Sequence, residues 1–314
     1  MPFPKQKAKH LLKHQQGIAL IQVLLISAIL TVLALYLTAT AKDQVKIAQW
    51  NDNKAEALIA LHSAESELLF TLLVSSKLAN KLKNTENTHT KNSEMTDKWN
   101  FFGKHFVINK TANQKVTIKI QDQSALIHAH FPHHRFLKAL IVSLGHSEKE
   151  ANSIFDNLLD WQDLDNIPRI NGDEHITSLS SIRNGAVPDI HDFIFVKGVT
   201  AKLHQALIKN TTLYSKGFFN PMYAPKELLS AITSKEIAEQ IIQLREHNQL
   251  TNSQFSQLTG IFESDNITFY PSNILSIDLE GQVGISVVRK NIIIELNPYA
   301  NEYQSPINIF SNRG

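Results

Sequence analysis

Cysteine is absent from this sequence of 314 residues, which excludes disulfide bonds, thiolate zinc sites and cysteine nucleophiles. Acidic residues are absent from positions 1–17, which hold four lysines. Those lysines outweigh the net charge of +2, so the rest of the chain carries −2 and has no general excess of positive charge for binding a polyanion. The length is sufficient for one large domain or two smaller ones, each with its own core.

The usual sequence motifs of catalysis are absent as well. The chain has no Walker motif, no glycine pattern for a dinucleotide and no recognisable nucleophile arrangement. We therefore predict that the protein is not an enzyme. The enzymatic alternative is a membrane-anchored hydrolase that uses Asp163 or Glu174, whose activity would be lost when those residues are substituted.

A long uncharged segment follows the basic N-terminus. Residues 18–41 contain no charged residue, and about 20 apolar residues in a helix are enough to span a bilayer. Lysines that precede such a segment stay on the cytoplasmic side of the membrane. The sequence therefore predicts a single-pass protein of the cell inner membrane, with the bulk of the chain in the periplasm.

Three interpretations of this N-terminus compete. A cleaved signal peptide ending at Ala41 would have an apolar stretch longer than the usual length of about 7–15 residues. A plain signal anchor would not be cut, whereas a prepilin leader would be cut after Gly17 on the cytoplasmic side. Gly17 stands at the junction of the basic and apolar segments, and Ala-Leu-Ile-x-Val-Leu-Leu follows from residue 19. This start resembles type IV prepilins and pseudopilins, so the prepilin interpretation accounts for the most detail.

Gln22 departs from that resemblance, because most such proteins have glutamate at the fifth mature position. A carboxylate in the membrane is costly unless it is paired, and in a filament its partner is thought to be the amino terminus of a neighbouring subunit. A subunit at the filament tip has no neighbour above it, so a neutral side chain indicates a tip position. The alternative is a tolerated polar residue in a membrane helix.

Periodicity predicts the elements that follow. Five leucines between residues 58 and 72 recur at helical spacing, which predicts one long helix from about residue 18 into the 70s. A polar loop is expected at 77–98. Strands are expected at 101–108, 116–120, 125–129, 267–270, 274–279, 283–288 and 292–296, and helices at 136–158, 192–208 and 226–246.

This order of elements predicts an α+β fold. We expect a long pilin-like N-terminal helix packed on an antiparallel sheet, with a large inserted all-helical domain. The segments are a prepilin leader at 1–17, the transmembrane half of the helix at 18–41, a pilin-like stem with the first strands at 42–131, the inserted helical domain at 132–262 and the closing strands of the sheet at 263–314.

An acidic loop is the most unusual segment of the chain. Five carboxylates fall within fifteen residues, and Arg169 is the one basic residue among them: Asp160, Asp163, Asp165, Asp173 and Glu174. Clustered carboxylates repel one another unless they are solvated, protonated or bridged by a cation. Calcium takes about six to eight oxygen ligands from flexible loops, and several of these acids could supply them. The spacing is not that of an EF-hand, and a solvated loop in which Asp160 caps a helix is the alternative.

The acidic loop also resembles a known family. Leu-Asp-Trp-x-Asp-x-Asp at 159–165, Pro-Arg at 168–169 and Asn-Gly-x-Glu at 171–174 are similar to the signature of the minor pseudopilin K of the type II secretion system. Val-Lys-Gly-Val-Thr at 196–200 and the order of the predicted elements are similar as well. Together with the prepilin start, the resemblance covers most of the chain.

The resemblance implies a structural role in protein export. Members form a complex with other minor pseudopilins at the tip of a short periplasmic pseudopilus, where they initiate or cap the filament for export across the outer membrane. Gly17 would be the last leader residue and Ile18 the first mature one, cut and methylated by the prepilin peptidase, with the secretion machinery as a further partner. Calcium in the helical domain is also implied, and the matching acids are Asp160, Asp163, Asp165 and Glu174.

A rival function depends on residues 195–208, which resemble the turn of a helix-hairpin-helix. Such turns bind DNA phosphates through backbone amides, so the alternative is a minor type IV pilin for adhesion or DNA uptake. Phosphate binding needs a basic surface, which the slight negative charge of the body does not favour. We therefore expect no nucleic acid as a partner and interpret the turn as a compact pairing of helices.

The prepilin interpretation predicts the mass of the mature N-terminus. Protein purified from the membranes of its natural host is expected to begin at Ile18 with a methylated amino group, as measured by mass spectrometry of the N-terminal peptide. A chain that begins beyond Ala41, or one that is not cut at all, would contradict this interpretation.

Overall fold

The computed structural model describes residues 16–75, 94–111, 113–174 and 183–314. The helices are α1 (Gln16–Val74), α2 (Glu94–Lys98), α3 (His134–Ser143), α4 (Glu148–Asp160), α5 (Ala201–Asn210), α6 (Lys226–Ile232), α7 (Lys235–Glu246) and α8 (Asn252–Thr259). The strands are β1 (Phe102–Thr111), β2 (Gln114–Asp122), β3 (Ile127–His128), β4 (Thr211–Thr212), β5 (Ile274–Val283), β6 (Ser286–Leu296) and β7 (Ile307–Arg313). Most of the predicted leader and of the predicted loop at 77–98 lies outside the described residues, and the last five residues of that loop form α2.

The long helix α1 has two different surroundings along its length. From Ala19 to Asp52 almost every side chain is exposed, and this part is long and apolar enough to cross a membrane by length and composition. From Ala57 to Leu72 the buried positions recur every three to four residues, as expected for a helix with one face on a core. The prediction of one helix from about residue 18 into the 70s is confirmed.

The buried face of α1 packs on an antiparallel sheet with the strand order β1–β2–β5–β6–β7. Successive side chains of β5 point to opposite faces of the sheet, so Leu275, Ile277 and Leu279 all point into the core between the sheet and α1. The backbones of α1 and β5 approach each other closely at Gly281, where an added Cβ would lie 2.6 Å from the carbonyl oxygen of Ala57. Glycine is therefore required at this position for α1 to approach the sheet.

Several predicted strands differ from those observed. The expected strand at 283–288 contains the tight turn between β5 and β6, where Gly284 adopts a φ of 55°. Residues 125–129 form the end of a 3-10 turn and the short strand β3, which pairs in parallel with β4. Residues 267–270 contribute isolated bridges, and β7 had no counterpart among the predicted strands. Alternation of apolar residues continues through the β5–β6 turn, so the pattern alone did not reveal it.

The helices between β2 and β5 are divided between two cores. Helices α3, α4 and α5 enclose a buried cluster that includes Phe136, Phe193 and Leu203. In contrast, α7 and α8 contribute Ile241 and Phe255 to the core formed by α1 and the sheet. The segment predicted as one inserted helical domain therefore contributes to both cores.

Asp122 joins the two ends of this insertion. It is the last residue of β2, and its buried carboxylate accepts hydrogen bonds from the backbone nitrogen and hydroxyl of both Ser124 and Ser272 at 2.5–3.0 Å. Ser272 lies just before β5, the strand that pairs with β2. Burial raises the pKa of Asp122, while the four donors act in the opposite direction. One carboxylate thus ties the beginning of the insertion to its end.

Replacing this carboxylate is expected to destabilise the fold. Asp122→Ala leaves buried backbone and hydroxyl donors without an acceptor, so the free energy of unfolding should fall by about 2–3 kcal/mol. Denaturant unfolding of the full chain in detergent measures the loss. Asp265→Ala, at an exposed position before β5, is the control and should change stability by about 0.5 kcal/mol or less. Equal losses in the two variants would contradict the role given to Asp122.

Candidate metal centre

The acidic loop begins where α4 ends. This helix starts at a capping box in which Ser147 and Glu150 satisfy each other's backbone amides, and its apolar face lies in the core of α3 and α5. Asp160 is the last residue of α4 and is fully buried, and Trp161 beside it is also buried. The end of the helix is therefore held firmly, and Asp160 is positioned by the packing of α4.

Arg169 returns to this helix end and contacts two of the acids. Its backbone nitrogen donates to both carboxylate oxygens of Asp160, at 3.1 and 3.3 Å. Its Nη1 atom donates to Asp160 and to Asp163, which brings the two carboxylates together. The hydrogen bond to Asp163, together with that to Asp160, raises the pKa of Arg169. Arg169 therefore supplies positive charge at the centre of the acidic loop.

The following turn is fastened to α4 by polar contacts. Asn171 donates from its backbone and side-chain nitrogens to Asp156, at 3.1 and 2.9 Å, and its carbonyl oxygen accepts from the hydroxyl of Ser153. At Gly172 an added Cβ would lie 1.8 Å from Oδ2 of Asp160. Only glycine lets the backbone pass so close to the buried carboxylate.

Glu174 completes the cluster. One carboxylate oxygen from each of Asp160, Asp163 and Glu174 lies within 4.8 Å of the others. Both oxygens of Glu174 and Oδ1 of Asp163 are buried and have no hydrogen-bond partner among the described residues. Burial raises the pKa of Glu174, and the negative charges of Asp163 and Asp160 raise it further. Acceptors that are buried without a donor in this way are costly unless a cation meets them.

The geometry of these oxygens fits a divalent cation with oxygen ligands. Calcium–oxygen distances of about 2.4 Å place two ligand oxygens at most about 4.8 Å apart, and the three carboxylates satisfy this condition. Carboxylates are also the ligand type that calcium prefers. The donor set therefore fits calcium, and Arg169 forms ion pairs with Asp160 and Asp163 beside it.

The structure does not bring all of the predicted acids together. Asp165 is exposed, and its Oδ1 accepts a hydrogen bond from the backbone nitrogen of Ile167 at 2.9 Å, so it shapes the loop and is not one of the three. Asp173 forms an ion pair with Lys197. Asp156, which holds Asn171, was missed from the sequence. The sequence could have indicated Asp156, because it precedes Asp160 by four residues and therefore lies on the same face of α4.

The segment that resembles a helix-hairpin-helix turn also packs on α4. It consists of a 3-10 turn at Ile190–Phe195 followed by α5, which Thr200 caps. Gly198 adopts a φ of 89°, and an added Cβ there would lie 2.9 Å from Ile154. Asn157 donates to the carbonyl oxygen of Lys197 at 3.1 Å. These contacts favour the interpretation of the turn as a helix pairing, because its glycine faces the protein.

Sequence comparison identifies relatives of the loop-bearing part of the chain. Residues 116–216 match the sequence model of a family described as type II secretion system (T2SS), protein K. The matched span contains all of the acidic loop and the three clustered carboxylates. No curated protein matches this chain.

Structural comparison extends the similarity to most of the chain. A chain in the crystal structure of the GspK–GspI–GspJ complex from the type 2 secretion system of enterotoxigenic Escherichia coli superposes with a TM-score of 0.52 and 16% sequence identity. The match covers 85% of this chain and 98% of that one. The predicted α+β fold, with a long N-terminal helix, an antiparallel sheet and additional helices, is confirmed. The resemblance of the acidic loop to minor pseudopilin K is confirmed too, because residues 116–216 match the sequence model of type II secretion system protein K.

Proposed function

We propose that this chain is a minor pseudopilin of a type II secretion system, of the K type. The observation that carries the proposal is the family match over residues 116–216 on a chain whose fold has a long apolar N-terminal helix. The proposed role is structural, as a component of the secretion assembly, and the family match supports it.

The proposed position is the cell inner membrane, with a single pass. The exposed apolar part of α1 needs lipid or neighbouring helices around it, since water is a poor solvent for so many apolar side chains. Cleavage after Gly17 by the prepilin peptidase would leave Ile18 as the first residue, and both lie in the first turn of α1. The sheet and helices would then lie in the periplasm.

The proposed place in the filament is its tip, as an initiating or capping subunit. Gln22 carries no charge, so it does not need the partner that a carboxylate would need within the membrane. The helices inserted between β2 and β5 widen the body beyond a simple helix-on-sheet packing, which leaves less room for another subunit above it. The solved relative is a chain of a complex of three components, and other minor pseudopilins are the proposed partners here.

A surface on α1 is available for these partners. The periplasmic half of the helix exposes Ile59 and Phe70, at 69% and 66%, on the side that faces away from the sheet. Large apolar side chains with this exposure are typical of surfaces that are covered in an assembly. Helix packing between subunits would bury them.

Disrupting this surface is expected to break the complex. Ile59→Asp should reduce co-purification of the full chain with the other minor pseudopilins of its secretion system by about tenfold or more, as a central interface residue does. The measurement is the amount of each partner recovered from detergent-solubilised membranes. Ile285→Asp is the matched control, because Ile285 is 85% exposed at the β5–β6 turn, away from α1's free face. Recovery of pilus proteins or DNA in place of secretion pseudopilins would contradict the proposed function.

We also propose that Asp160, Asp163 and Glu174 hold calcium. The orphaned oxygens of Glu174 and Asp163 support this, as does the close passage of Gly172. A bound calcium ion would neutralise the mutual repulsion of these carboxylates. The loop would be held in place for the ion by hydrogen bonds to α4, which Arg169 and Asn171 donate to Asp160 and Asp156.

Calcium is expected to stabilise the full chain in detergent. At about a hundred times its Kd, it should raise the free energy of unfolding by about 2.7 kcal/mol. Glu174→Gln removes one charged ligand, and the gain at the same calcium concentration should fall to about 1 kcal/mol or less. Thermal unfolding with and without calcium measures both values.

Asp165→Asn is the control for this experiment, because Asp165 lies outside the cluster of three. The variant should retain the calcium-dependent gain. A gain that survives Glu174→Gln but disappears in Asp165→Asn would contradict the proposed ligand set, and no gain in the unmodified protein would contradict calcium binding.

A further inference from the structure

A wide cleft lies on the face of the sheet that is turned away from α1. Its floor crosses β1, β2, β5 and β6, and its walls come from the end of α5 and from α6 and α7. The cleft has a volume of about 770 Å³. The floor carries the polar side chains of Gln121, Ser276 and Asn291, which alternate with the buried core positions of the strands, and the apolar side chains of Phe102 and Ile293 lie beside them.

The charges that line this cleft are mainly positive. Its two acids are already satisfied, since Glu246 pairs with Lys104 at 3.0 Å and Asp278 pairs with Lys119 at 3.2 Å. The other charged residues are Lys209, Lys226 and Arg245. Three positive charges are therefore in excess, on a chain whose body has a slight negative charge.

Two of these cations are available at the rim. Lys209 lies at the end of α5, is exposed, and forms no ion pair with any residue that the structure describes. Lys226 begins α6, and its Nζ lies 3.6 Å from Glu239 in a pair that is exposed on both sides. Exposed pairs of this kind contribute little, so Lys226 can exchange its partner for another carboxylate.

Arg245 is the unusual member of the set. It is 7% exposed, and its guanidinium donates to the carbonyl oxygens of Ala224 and Pro221 at 2.8 and 3.2 Å. The guanidinium also lies 5.5 Å from the ring centre of Phe102. Within the described part of the chain it has no carboxylate partner, and its Nε atom has no acceptor.

A buried cation without a counterion is costly. Burial lowers the pKa of Arg245 to about 9, because desolvation disfavours the charged form. Buried charges in proteins are normally paired, and this one has only neutral acceptors. Its field therefore extends into the cleft, where solvent screening is weaker than on an open surface.

We propose that the cleft binds an acidic, extended segment of a partner protein. Lys209 and Lys226 contact carboxylates of the segment. Arg245, which is buried in the wall of the cleft, attracts the segment through its positive charge. Four neighbouring strands span about 14 Å, which matches four to five residues of extended chain at about 3.3 Å per residue. A single small anion would fill only a fraction of the cleft volume of about 770 Å³.

This proposal is independent of the calcium site and of the secretion role, because it rests on a different face of the protein. The probe is a fluorescein-labelled polyglutamate peptide, and the measurement is its fluorescence anisotropy with the full chain in detergent at low ionic strength. We expect saturable binding that weakens as salt is added. Lys209→Glu and Lys226→Glu should each weaken it by about tenfold.

Matched variants separate a specific cleft from general attraction. Lys149→Glu makes the same charge change at an exposed position on α4, outside the cleft, and should leave the affinity unchanged. Arg245→Gln should weaken binding as well, and the lysine variants test the proposal if that variant does not fold. The proposal is overturned if polyglutamate does not bind, if Lys149→Glu weakens it as much as Lys209→Glu, or if a polyglutamine peptide binds equally. Displacement of the peptide by sulfate at an equal concentration of charge would overturn it too, because the site would then hold a free anion.

Discussion

The packing of α1 on the central strands is the contact on which the rest of the structure depends. The helix can approach the sheet because Gly281 presents no side chain to the backbone at Ala57. Its leucines then fill a core with β2, β5 and β6. The same helix continues for many turns beyond the sheet with its side chains exposed, so one element joins an apolar segment long enough to cross a membrane to a folded body.

The insertion between β2 and β5 positions both of the sites. Asp122 holds its two ends together, and the two strands that it separates pair along their whole length. The acidic loop is carried by α4 in the second core, whereas α7 returns to the first core and brings Arg245 to the wall of the cleft. The two regions therefore differ in charge and in place: one brings three carboxylates together beside Arg169, and the other brings lysines and Arg245 together around an open groove.

The sequence by itself determined those features that depend on neighbouring residues. The uncharged apolar run at 18–41 and the helical spacing of the leucines from 58 to 72 together predicted α1 over nearly its full length. The acidic loop was recognisable because its carboxylates and Gly172 are close together along the chain, and the motif identified the family that residues 116–216 match. Local alternation also revealed β1, β2 and β5, although it did not reveal the turn at Gly284.

Only the tertiary structure decided which distant residues meet. It brought Glu174 next to Asp160 and Asp163, which precede it by 14 and 11 residues, and it left Asp165 outside this cluster. It also divided the helices between two cores and buried Arg245 without a carboxylate partner among the described residues. Such contacts join residues that are far apart in sequence, and their geometry depends on how the elements pack, which no local pattern of residues encodes.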